Sequence, residues 1–70
     1  MSKPQKYRDV IKFLKAQGWV FIREAKGSHE IWGNPNQPTE FLSLPNHKEV
    51  SAGIIGQLRK IFPNTPQNWK

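Results

Sequence analysis

Trp19-Val20-Phe21-Ile22-Arg23-Glu24, then Ala25-Lys26-Gly27, then Ser28-His29-Glu30-Ile31-Trp32-Gly33 is the stretch on which the fold turns. Its first six residues are few and rich in β-branched and aromatic side chains, which predicts a short strand. Ala25-Lys26-Gly27 reads as a turn, because glycine takes backbone angles that other residues resist. Residues 28–33 read as a second strand. So short a connection cannot make a crossover, so the two strands pair antiparallel.

Asn34-Pro35-Asn36-Gln37-Pro38 is dense in breakers and predicts the next turn. Residues 39–44 then form a third strand, stopped by Pro45. On the N-terminal side, Tyr7, Val10, Ile11 and Leu14 fall at helical spacing within residues 5–17. Phe13 widens that apolar stripe, and Lys6, Arg8, Lys12 and Lys15 occupy the other faces. Ser2 and Pro4 read as start signals and Gly18 as a left-handed C-cap. Past the third strand, Asn46-His47-Lys48-Glu49 reads as a loop. A second helix follows over residues 51–61, with Val50, Ile54, Leu58 and Ile61 on one stripe. Gly53 and Gly56 each weaken that helix by about 1 kcal/mol relative to alanine, which suggests close packing there.

The order α-β-β-β-α predicts an α+β fold: a single two-layer domain, its three-stranded antiparallel sheet covered on one face by two helices. The domain spans residues 1–70, with residues 63–70 as a polar C-terminal tail whose anchors are Pro66 and Trp69. The expected core is Val10, Ile11, Leu14, Trp19, Leu42, Leu44, Ile54, Leu58 and Ile61. If His29 faces solvent, strand alternation turns Ile31 outward with it and Trp32 inward.

Charge is the informative part of the composition. Eleven Lys and Arg against five Asp and Glu leave a formal charge of +6 on 70 residues. That balance attracts polyanions, of which nucleic acid is the commonest in a cell, although a small protein also uses excess charge for solubility. With no cysteine there is neither a disulfide framework nor a thiolate metal site. No apolar run approaches the roughly 18 residues of a membrane span, and no signal-peptide pattern opens the chain. The expectation is a cytoplasmic protein with no membrane association.

His29 is the first candidate for chemistry, since imidazole exchanges a proton near neutral pH. Cutting RNA without a metal requires a base for the 2′-hydroxyl and an acid for the leaving oxygen. It also requires positive charge or backbone amides near the phosphorus. Arg23 and Lys26 supply charge beside His29, and the amides of Gly27 and Ser28 suit a phosphate. Taken alone, His29 reads equally well as a surface histidine without a role. His47, the other histidine, is either a second acid–base group or a capping residue, and the capping role fits its place before a helix better. Lys48, Arg59 and Lys60 extend the candidate phosphate contacts. Two histidines without a cluster of acids or thiols argue against a metal site, and no cofactor is expected. Trp19, Trp32 and Trp69 read as packing residues before base-stacking platforms.

The succession Gly18-Trp19, Arg23, Gly27-Ser28-His29, Pro45-Asn46-His47 and Gly53 resembles the HicA toxin family over residues 7–61. The resemblance implies a double-stranded-RNA-binding-domain-like fold and a toxin endoribonuclease that cleaves messenger RNA and arrests translation. It makes His29 the catalytic histidine and implies a HicB-like antitoxin, expected to occlude His29. Arg23, Lys26, Gly27, Ser28, His47 and Lys48 are the expected RNA contacts, and the free protein is expected to be monomeric. The rival readings are a non-catalytic RNA-binding module on the same fold, and a protein whose role is to pair with an acidic partner.

Overall fold

The computed structural model describes residues 2–69. Its elements run β1 (Gln5–Lys6), α1 (Tyr7–Ala16), β2 (Val20–Glu24), β3 (His29–Gly33), β4 (Phe41–Pro45), β5 (Glu49–Val50) and α2 (Ala52–Ile61), closed by a 3₁₀ turn at Gln67–Trp69. β2, β3 and β4 form the predicted antiparallel sheet in that order. β1 and β5 make a second, two-stranded ladder that the sequence did not reveal, pairing Gln5 with Val50 and Lys6 with Glu49.

That small ladder moves the start of α1. The helix begins at Tyr7, two residues later than predicted, and Ser2 does not cap it. The Tyr7 amide donates instead to the Lys48 carbonyl at 3.0 Å, so a distant segment satisfies an orphan N–H of the first turn. The other end behaves as its sequence dictates. Gly18 has φ +86°, its amide donates to Lys15, and the Trp19 amide donates to Leu14. This is a Schellman cap, with Trp19 and Leu14 as its buried apolar pair.

Both helices cover one face of the sheet. Val10 and Leu14 from α1 and Ile55 and Leu58 from α2 meet Trp32, Leu42 and Leu44, joined by Trp19, Val50 and Trp69. The expected core needs correction: Trp32, Val50 and Trp69 join it, and its α2 and Ile11 positions change. Ile55 is buried in place of Ile54, and Ile61 is exposed. Val50 belongs to β5 rather than to the helix, so counting the stripe from it misphased α2. Leu58 serves both candidate stripes, and docking of Phe62 against Phe13 and Trp19 selects the one through Ile55. Ile11 is half-buried at the core's edge.

The tail is part of the core. Trp69 is 2% exposed, its ring centroid 5.1 Å from that of Phe13, and its carbonyl accepts from the Lys3 amide at 3.0 Å. Of the two α2 glycines, only Gly56 is closely approached, with Ser2 Oγ 3.3 Å from where a β-carbon would stand; around Gly53 there is room.

Candidate functional site

β3 opens at His29, directly after a turn made by Gly27 at φ +70°. A β-carbon built on Gly27 would lie 4.0 Å from His29 Nδ1, so the exposed imidazole leans back over the turn. Backbone bonds fix this corner on both sides. The Ala25 amide donates to the His29 carbonyl at 2.8 Å, and the Asn46 amide donates to the Ser28 carbonyl at 2.8 Å. Pro45 stands opposite His29 in the ladder. Gly27-Ser28-His29 and Asn46-His47, far apart in sequence, therefore form one corner of the sheet.

Strand alternation sends His29 and Ile31 to the face that no helix covers, and Glu30 and Trp32 to the helix side. Arg23 reaches the His29 face because of an irregularity. The β2–β3 register slips between Phe21 and Arg23, so Phe21 pairs with Trp32 on the helix side while Arg23 pairs with Ile31. The extra residue, Ile22, flips the alternation, as a β-bulge does. Arg23 becomes the diagonal cross-strand neighbour of His29, a spacing that a long side chain spans. Val20, Ile22 and Phe41 share this open face and are 44%, 49% and 55% exposed. Lys26 is exposed in the turn itself, and His47 and Lys48 are exposed in the segment between β4 and β5.

Arg59 and Lys60 do not join this corner. Arg59 donates to Ser2 Oγ at 3.0 Å, and both residues line a separate hollow beside Gly56. Among the described residues, no group of three or more His, Asp or Glu side chains is placed to hold a metal ion. Among the described residues, no helix is long and apolar enough to cross a membrane.

Behind His29, the Glu30 carboxylate is a hub that sequence reading missed. It accepts from the Tyr7 hydroxyl, from Trp32 Nε1 at 3.1 Å and from Asn46 Nδ2 at 3.0 Å. One acid thus ties the start of α1, β3 and the loop leading to His47. Burial first, then the hydrogen bond to Glu30 and its negative charge, push the Tyr7 hydroxyl up from 10.0 to about 12. A phenol protonated more strongly in the folded state stabilises the fold fully below pH ~10, and that contribution is lost as pH rises through about 12. Tyr7 is the single tyrosine, so phenolate absorbance reads it directly. The titration midpoint should fall near 12 and move down in Glu30→Gln; a wild-type midpoint near 10 would contradict the hub.

Lys6 and Arg8 are further residues that the sequence left as helix surface. They line one hollow with His47 and Lys48. The signal that would have found them, the pairing of Gln5–Lys6 with Glu49–Val50, leaves no trace in local pattern.

Fold and site together define a small basic α+β domain that presents one histidine, over a glycine turn, on an uncovered sheet face. The family model described as HicA toxin of bacterial toxin-antitoxin matches residues 7–62, and the chain belongs to that family. Membership gives it the role of a toxin with an antitoxin partner. No curated protein and no solved structure gives a significant match.

Proposed function

We propose that the protein is an endoribonuclease that cleaves messenger RNA, arrests translation, and uses His29 as the general acid or base without a metal. The observation that carries this reading is the corner itself. An exposed imidazole lies over the Gly27 turn, Arg23 is its diagonal neighbour on the same open face, and the Asn46–His47 segment is bonded against it. The imidazole takes the 2′-hydroxyl proton or returns one to the leaving 5′-oxygen. Arg23 and Lys26 offset the charge that builds on the phosphoryl oxygens, with the Gly27 and Ser28 amides as further donors. His47 and Lys48 hold the adjoining phosphates.

The same face suits the antitoxin. Val20, Ile22 and Phe41 offer apolar contact beside His29, and a net charge of +6 favours an acidic partner. A HicB-like antitoxin seated there occludes the imidazole directly.

The test is RNA integrity in cells after induction of wild type or His29→Ala. Wild type should fragment messenger RNA and stop growth, and the variant should do neither. RNA that is bound by wild type but stays intact would make the protein a binding module instead. An absence of both RNA binding and growth arrest would leave pairing with an acidic partner as its role.

A further inference from the structure

Three consecutive hollows run along α1. In the first, of about 1020 Å³, Lys6, Arg8, His47 and Lys48 stand around Tyr7, with Glu49 as its single acid. The second, of about 520 Å³, shares Tyr7 and Arg8 with the first and continues past Lys12 and Lys15 to Trp32. The third, of about 490 Å³, shares Lys15 and Trp32 with the second and ends at Trp19 and Phe21. Neither the second nor the third is lined by an acid.

Arg8, Lys12 and Lys15 are spaced four and three residues apart, so they form one stripe on one side of the helix, and all three are exposed. Phe21, which is exposed, and half-buried Tyr7 supply aromatic surface beside that stripe, with the edge of buried Trp32 between them. Phe21 and Trp32 meet edge to face at 6.0 Å, and Tyr7 is held through Glu30. The Glu30 carboxylate behind them accepts hydrogen bonds from three donors, which tempers its repulsion of an anion.

We infer that this groove is a second nucleic-acid subsite, which takes the single-stranded RNA flanking the bond cut at His29. Cations of one sign interleaved with aromatic rings are what a single strand needs, phosphates on the charges and bases against the rings. Continuity points the same way. The groove begins at Asn46–His47–Lys48, where the Asn46 amide donates to Ser28 and the preceding residue, Pro45, pairs with His29. A strand whose scissile phosphate sits at the corner is led into the groove. The inference rests on the RNA-cleavage reading and adds Lys6, Arg8, Lys12 and Lys15 to its contacts.

The experiment compares two double variants that each remove two positive charges from exposed sites: Arg8→Gln/Lys12→Gln in the groove and Lys3→Gln/Lys60→Gln outside it. Binding of a labelled single-stranded RNA is followed by anisotropy across a salt series, in a His29→Ala background so that the strand stays whole. Each lost phosphate contact lowers the salt slope for a single strand by about 0.7. The groove pair should therefore lower it by about 1.4 and weaken binding roughly tenfold near 0.15 M salt. The control pair should leave the slope unchanged. Equal slopes for the two pairs would overturn the inference. So would a groove pair that loses affinity for polyglutamate but not for RNA, which would make the groove a protein-docking surface. Cleavage by the parent protein is scored separately. RNA that is bound through the groove yet never cut overturns the nuclease reading alone, and cutting that needs His29 with an unaltered groove slope overturns the groove alone.

Discussion

Replacing His29 with alanine should slow RNA cleavage by the purified protein about 10²–10⁴-fold, the range that a positioned acid–base group contributes. The fold should not notice. The imidazole is exposed, and the bonds that fix this corner run through backbone atoms that alanine keeps: the Ala25 amide to the residue-29 carbonyl and the Asn46 amide to Ser28. Thermal unfolding should therefore superimpose on wild type, which separates lost chemistry from lost structure. Cleavage at the wild-type rate would make His29 a bystander. The effect should also exceed that of Arg23→Gln, because in the proposed reaction Arg23 would only stabilise charge whereas His29 would move the proton.

The second large effect lies at the other end of the chain. Trp69→Ala should cost about 3–5 kcal/mol, as for other buried aromatic residues cut to alanine. A domain of this length has roughly 4–10 kcal/mol in total at the usual stability per residue. Losing Trp69 should leave the protein marginal at 37 °C. Its ring fills the space beside Phe13, so the truncation opens a cavity and removes the packing that holds the turn whose carbonyl accepts from Lys3. Urea denaturation reads the loss as a lowered midpoint, with Gln67→Ala, an exposed neighbour in the same turn, as the control. An unchanged midpoint would show that the tail does not close the core.

Much of this molecule is legible without coordinates, because its strong signals are local. The hairpin over residues 19–33 needs only β-branched runs and a glycine turn, and both glycines expected to take left-handed angles there, Gly18 and Gly27, do so. The inward turn of Trp32 follows from alternation once His29 faces solvent. The candidate site residues on contiguous chain, Lys26 to His29, are legible for the same reason, and the Gly-Ser-His pattern points to the HicA family, which the family match shows.

What stayed hidden depends on partners distant in sequence. α2 carries two overlapping apolar stripes, and only the packing of Phe62 on Phe13 and Trp19 chooses Ile55 over Ile54 and Ile61. Trp69 in a polar tail is indistinguishable from a loose end until the Phe13 surface is there to receive it. The slip at Ile22 that turns Arg23 toward His29 is a property of the paired strands, not of either one. Local residue chemistry thus determined the two helices, the three main strands, their order and the candidate histidine. Tertiary structure alone decided what surrounds that histidine, because the bulge, the Glu30 hub and the β1–β5 ladder that brings Lys6 to His47 form only when separate segments meet.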